Sequence, residues 1–224
     1  MILSARKIRK QYFRDGRETN WFNAVEETDL TPEEGKITEI VGRSGSGKTT
    51  LGQMLAGLLT PTEGQVLLDG TDIYSLGDAE LSRLRNKAIG VIPQGQTGLA
   101  SLTVMENVLA PLNMYGEATA AAREYAAELL ECLSIRDLRE VYVSELSGGE
   151  LRRMAVARAL IRRPGIIIAD EPTGDLDEIT TEQVLSLFRR QAETGAAVLI
   201  ITHDEAVARY ADRTLRMEKG FLSE

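Results

Sequence analysis

The sequence predicts an α/β fold in which a core of buried parallel strands carries a helical insertion. Three observations lead there. Strand-like and helical patterns alternate along the chain. Two strand-like runs, GIIIAD (165–170) and AAVLIITHD (196–204), hold no polar side chain before Asp170 and Thr202 respectively, as strands covered on both faces do. Between about 103 and 163 the pattern is mostly helical.

In chain order, ITEIV (37–41) reads as a short strand running into a Gly-rich turn. TTLGQMLAGLL (49–59) reads as a helix ended by Pro61 and the PTEG turn, since proline cannot continue the helical ladder. QVLLDG (65–70) is a strand closed by an Asp-Gly turn. DAELSRLRNK (78–87) is helical and AIGVIPQ (88–94) strand-like. After the helical block and GIIIAD, TTEQVLSLFRRQAE (180–193) forms a helix, and AAVLIITHD completes the alternation.

The chain has 224 residues, 43% hydrophobic and 27% charged, which is ordinary for a globular protein with a sizeable core. Its net charge of −8 argues against a surface built for nucleic acid. The single cysteine, Cys132, excludes a disulfide framework within the chain and fits a reducing, cytosolic setting; its pattern AAELLECLSI suggests a small core residue. There is no run of 18 apolar residues, and MILSARKIRKQYF lacks the apolar stretch and cleavage site of a secretory signal.

The motif GRSGSGKT (42–49) matches G-x-x-x-x-G-K-[ST] and lies between a strand and a helix, the context a phosphate-binding loop requires. Gly42, Gly45 and Gly47 let the backbone wrap phosphate oxygens, Lys48 reaches the β- and γ-phosphates, and the Thr49 hydroxyl ligates Mg²⁺. IIIADE (166–171) brings Asp170 to the end of a buried strand, where a carboxylate holds Mg²⁺. Glu171 beside it can orient and polarise an attacking water. His203, the only histidine, ends a second apolar strand, at the sheet edge where ligands bind in open α/β folds. There it could donate to a γ-phosphate. Gln94 ends AIGVIPQ, where an amide could touch both metal and water.

A second phosphate-type loop lies in ELSGGELRRMAVARALIRRP (145–164): Ser147, Gly148 and Gly149 precede a helix, so backbone N–H groups and a positive helix end face an anion. It stands about a hundred residues from the first loop, at the far end of the helical block. If that block is a separate lobe, this helix end suits a nucleotide held by another copy. Arg152, Arg153, Arg158, Arg162 and Arg163 read as a solvated basic helix face.

In the order GRSGSGKT, Gln94, LSGGE, IIIADE, TGDLD and His203, the chain resembles the nucleotide-binding subunit of an ABC transporter over essentially its whole length. The resemblance implies a P-loop NTPase core of the RecA type with an antiparallel β subdomain (about 1–93 and 164–224) and an inserted helical subdomain (about 94–163). It implies a head-to-tail homodimer enclosing two ATP molecules with Mg²⁺, each between one copy's phosphate loop and the other's signature. By the same resemblance Ser44, Ser46 and Thr50 join the phosphate loop, while Ser147, Gly148, Gly149 and Glu150 serve the partner's nucleotide. Glu171 is then the general base, Gln94 and His203 assist catalysis, and Thr49, Gln94 and Asp170 hold the metal. Asp177 communicates between the two sites. Tyr12 is placed to stack on adenine, with Phe13 and Trp21 as competitors. Glu150 stands where the family more often has Gln, and Val143 where related sequences often have Pro.

ADEPTGDLD and SELSGGELRRMAVARAL look most like the group that drives lipoprotein release, macrolide-type export and the cell-division transporter-like complex. That implies work on a separate membrane permease, from the cytoplasmic face. The runner-up is a soluble ABC ATPase serving cofactor assembly. DNA-repair ABC ATPases insert long coiled coils for which the 122-residue spacing from Lys48 to Asp170 leaves no room, and no nucleic-acid partner is expected. A GTPase base reader fails, because Asn86-Lys87 is followed by Ala88-Ile89. The permease is expected to dock near 94–112. Residues 90–115 carry one charge, Glu106, and the segment GQTGLASLT exposes Leu99 and Leu102 where a polar loop would be usual.

Overall fold

The computed structural model describes residues 1–13, 21–95 and 98–224. Among them the strands form two sheets. The larger has the order β10-β9-β3-β8-β7-β6, built from β3 (Ile37–Val41), β6 (Ile89–Ile92), β7 (Ile166–Asp170), β8 (Ala197–Ile201), β9 (Arg213–Glu218) and β10 (Phe221–Ser223). All its pairings are parallel except β9 with β10. The smaller is antiparallel, order β2-β1-β4-β5, from β1 (Leu3–Phe13), β2 (Trp21–Leu30), β4 (Glu63–Leu68) and β5 (Thr71–Asp72).

Alternation along the central strands explains the layers. In β7, Ile166 and Ile168 join one hydrophobic core with α1 (Lys48–Leu55) and β1, while Ile167 and Ala169 join a second core with the helices of the opposite face. Every residue of β7 and β8 is buried, which is why both read as unbroken apolar runs. Besides Asp170 at the end of β7, the sheet buries the carboxylate-bearing Glu39 of β3, which is 1% exposed and accepts a hydrogen bond from the Thr214 hydroxyl at 3.0 Å. Burial raises its pKa, opposed by that hydrogen bond.

Between β6 and β7 lie α3 (Val104–Asn113), α4 (Ala120–Cys132) and α5 (Gly148–Leu160); α2 (Asp78–Ala88) precedes β6 and α6 (Glu178–Glu193) precedes β8. α3 starts at a Thr103–Glu106 capping box. α1 stops four residues earlier than the sequence suggests: Gly57 adopts φ 69, and the Gly57 and Leu58 N–H groups bond back to Met54 and Gln53, closing the helix before Pro61 acts. Cys132 is half-buried at the end of α4, not a core residue.

The expected solvated face of arginines is also corrected, because only Arg163 of the five is exposed. The guanidinium of Arg153 donates to the Gly149 and Leu133 carbonyls, and that of Arg162 donates to the Pro111 carbonyl and pairs with Glu117 at 2.6 Å. Both side chains are half-buried, with their heads satisfying backbone carbonyls in and beside the helices.

Candidate functional site

Because β3, β6, β7 and β8 run parallel, their carboxyl ends meet at one edge of the sheet, where open α/β folds bind ligands. A cleft of about 800 Å³ opens there, lined by the loop from Gly42 to Thr50 together with Gln94, Asp170, Glu171, His203 and Tyr12. Segments far apart in sequence thus converge.

The loop is shaped by close backbone approach. Gly45 and Gly47 have φ 76 and 108, in the left-handed region. A Cβ on Gly47 would lie 2.1 Å from the Ala24 carbonyl oxygen, and one on Gly42 would lie 2.2 Å from that of Met217, so both positions require glycine. Gly47 caps α1 without a side chain, leaving its first N–H groups for a ligand. Lys48 as a residue is 7% exposed, and its ammonium donates to the Gly42 and Arg43 carbonyls at 2.6 and 3.1 Å. The Ser46 hydroxyl is buried with no hydrogen-bond partner among the described residues. A buried lysine within electrostatic reach of Asp170, an unpaired hydroxyl among the described residues and a helix start without a side-chain cap suit a bound polyphosphate.

Asp170 is 8% exposed at the end of β7. Burial raises its pKa most, opposed by a hydrogen bond from Thr49; the charge of Glu171 raises it further and that of Lys48 lowers it. Among the described residues no three His, Cys, Asp or Glu side chains cluster as a metal cage. Thr49 and Asp170 form a two-ligand donor set, which fits Mg²⁺ completing its shell with phosphate oxygens and water.

Glu171 has φ 51 and donates its N–H to the Ile201 carbonyl at 2.8 Å. Its Oε1 lies 2.7 Å from His203 Nδ1, and its Oε2 accepts the Thr202 hydroxyl at 3.0 Å. The His203 side chain is 80% exposed, that of Glu171 only 14%. A carboxylate held at both oxygens beside a phosphate loop can take a proton from water. Here His203 contacts the carboxylate while also lining the cleft.

Tyr12 stacks on Phe22, ring centroids 5.8 Å apart, with the Lys10 ammonium 5.5 Å from its ring. The competitors Phe13 and Trp21 pack edge to face with each other and lie outside the lining of the cleft among the described residues. The cleft also takes in Phe22, Asn23, Ala24, Lys219 and Gly220, which sequence reasoning missed. The only hint was the aromatic neighbour Trp21-Phe22; the Lys219-Gly220 turn gave no signal, since it reaches the loop through the Gly220 N–H bond to the Ser46 carbonyl.

Ser147, Gly148, Gly149, Glu150 and Asp177 lie outside this cleft's lining among the described residues. Ser147 is exposed and caps α5 in a capping box: its N–H and hydroxyl donate to Glu150 Oε2 at 2.8 and 2.7 Å. These bonds lower the Glu150 pKa, the side-chain one most, and they give the carboxylate at this position a structural use. A Cβ on Gly149 would meet Leu176 and the Asp175 carbonyl at 3.3 and 3.4 Å, so α5 packs closely on the TGDLD turn. Asp177 caps α6 by accepting the Thr180 N–H at 2.8 Å, and that bond holds its pKa low.

The model of the ABC transporter family matches residues 25–174. The lipoprotein-releasing system ATP-binding protein LolD of Pseudomonas syringae is 42% identical over 224 residues, covering 100% of this chain and 97% of its own. The dimeric structure of MJ0796, a bacterial ABC transporter cassette, superposes with TM-score 0.90 at 34% identity, covering 97% of this chain and 95% of that one. Its dimeric post-hydrolysis state bound to ADP and Pi matches with TM-score 0.89 at 34% identity and the same coverage.

Proposed function

Because the chain belongs to the ABC transporter family, as an ATP-hydrolysing cassette, we propose that it drives a separate membrane permease of the lipoprotein-releasing kind from the cytoplasmic face. Among the described residues no helix is long and apolar enough to cross a membrane, which is consistent with attachment through a partner.

The observation that carries this reading is the split of the two phosphate-type loops. The first lines the cleft with Glu171, whereas the second caps an exposed helix end outside it. Two copies arranged head to tail would bring Ser147, Gly148 and Gly149 of one to the nucleotide of the other, and the related cassette's dimeric, ADP- and Pi-bound state supports such an arrangement.

In this reading Gly42, Ser44, Gly45, Ser46, Gly47 and Thr50 donate to the phosphates, Lys48 neutralises the β- and γ-groups, and Tyr12 stacks on adenine. Thr49, Asp170 and Gln94 would hold Mg²⁺, whose charge would stabilise that developing on the phosphates. Glu171 accepts the proton of the attacking water as its oxygen bonds to the γ-phosphorus and ADP departs. Glu150 keeps Ser147 oriented, and Asp177, at the α6 cap beside the TGDLD turn, links the two sites across the dimer.

For the permease we propose the surface near 94–112. Leu99 is 51% exposed, whereas Leu102 is half-buried, so Leu99 is the stronger contact point. Gln96 and Thr97 of this segment lie outside the described residues. The loop is held from beneath by Asn107, which is fully buried: its Oδ1 accepts the Leu99 N–H at 2.8 Å, and its Nδ2 donates to the Leu99, Leu102 and Thr103 carbonyls. Gln94 in the cleft and Leu99 on the surface are five residues apart, a short route from nucleotide to partner.

Glu171→Gln tests the assignment: turnover should fall by two or more orders of magnitude with ATP binding kept. An ATP-bound dimer should accumulate on size exclusion. Near-normal turnover would sink it.

A further inference from the structure

Resting on Glu171 as the general base, we propose that Thr202 is a positioning residue for hydrolysis: its hydroxyl fixes the plane of the Glu171 carboxylate toward the cleft. Nothing in the motif pattern marks this residue, which ends the apolar run of β8.

The geometry is one-sided in a useful way. Thr202 is fully buried, whereas the His203 side chain is 80% exposed. A carboxylate held at one oxygen by an exposed imidazole can still turn about its last torsion, which is broad and roughly two-fold. A second hydrogen bond at the other oxygen removes that freedom. The Thr202 hydroxyl supplies it, donating to Oε2 at 3.0 Å.

Nor is that hydroxyl free to point elsewhere. Its oxygen accepts the Asp204 N–H at 2.9 Å, and a hydroxyl has only one proton to give. Asp204 is itself fixed: its Oδ2 accepts the Thr173 hydroxyl at 2.7 Å, and its Oδ1 accepts the Ala206 N–H at 2.9 Å. Thr173 is 4% exposed and lies two residues past Glu171, so the network starts and ends on the segment that carries the base. Each member fixes the next, and the one proton left over is aimed at the carboxylate.

Thr202→Val keeps the shape and removes the hydroxyl; Thr202→Ser keeps the hydroxyl. In steady-state ATPase assays of the full chain, Thr202→Val should lower kcat about tenfold or more, the scale of a lost hydrogen bond to a charged group, with KM for ATP within about twofold. Thr202→Ser should recover most of the rate. Adding Thr202→Val to Glu171→Gln should produce no further loss, because there is no longer a base to aim. If Thr202→Val does not yield folded protein, Thr202→Ala carries the same comparison with Thr202→Ser.

A Thr202→Val rate within about twofold of the parent, with Glu171→Gln inactive, overturns the positioning role and leaves the general base standing. So does a rise in KM matching the fall in kcat, or a loss that Ser does not repair, since either marks a purely structural threonine. An active Glu171→Gln would instead overturn the base assignment itself.

Discussion

Ser147→Arg separates a shared site from a self-contained one, because the structure allows its structural effect to be sized in advance. The change removes the hydroxyl that caps α5 and breaks the box with Glu150, a loss of about 1 kcal/mol. It also sets a cation at a helix start, worth about another 0.3–1 kcal/mol. Together these are about 1–2 kcal/mol, against the roughly 5–15 kcal/mol by which domains are stable. For a chain of 224 residues that is a drop in Tm of about 3–8 °C, so the variant stays folded at assay temperature.

ATP affinity of the monomer should be unchanged, because Ser147 lies outside the cleft. Turnover should nevertheless fall at least about a hundredfold, as expected when preorganised donors to a phosphate are displaced. Isothermal titration with nucleotide, thermal melting and phosphate release on the same preparation give the three readouts. Mixing this variant with Lys48→Ala should restore at most one working site per heterodimer. The reasoning fails if Ser147→Arg loses ATP binding as severely as Lys48→Ala does, for the signature would then serve its own cleft.

Two further outcomes follow from the loop after Gln94. Leu99→Glu should weaken capture of the co-expressed permease by about tenfold or more, since docking would bury an unpaired charge. ATP affinity and Tm of the isolated chain should hold, because Leu99 is half in solvent already; intact capture would rule this surface out. Asn107→Ala deletes one side chain that makes four hydrogen bonds, and a loss of about 2–3 kcal/mol should lower Tm by about 4–12 °C in calorimetry. An unchanged Tm would show that the loop is held by other contacts.

How much of this was legible depends on what each segment must bury. β7 and β8 are covered on both faces, so their identity was plain from the sequence. β1 was not read: LSARKIRKQYF alternates poorly because the pairing slips between Ala5 and Ile8 and again to Lys10, with Lys7 at φ 49. β9 carries a true period-two signal in Leu215 and Met217, but over only six residues. Loop glycines, Lys48, Asp170 and Glu171 were legible because phosphate chemistry fixes both residue type and spacing. Thr202 and Lys219 were not, since one depends on a turn after β8 and the other on a hairpin that reaches back across the sheet.

A last geometric point concerns Asp170 and Glu171. Consecutive residues of a strand point to opposite faces, so two adjacent carboxylates should not share a cleft. Here both line it. The conflict is resolved between them: β7 ends at Asp170, and Glu171 turns into the left-handed region at φ 51. For a residue with a Cβ that conformation costs on the order of 1–2 kcal/mol. The strain is held by what surrounds it. The Glu171 N–H still bonds the Ile201 carbonyl, keeping the residue anchored to β8 after the strand geometry has broken, and the side chain is gripped by Thr202 and His203. The result separates the roles of two chemically similar groups. Asp170 stays buried beside Thr49 and Lys48, suited to a cation, while Glu171 is swung to the cleft with both oxygens oriented, suited to a proton. A sequence shows the pair as neighbours; the backbone between them determines that they do different work.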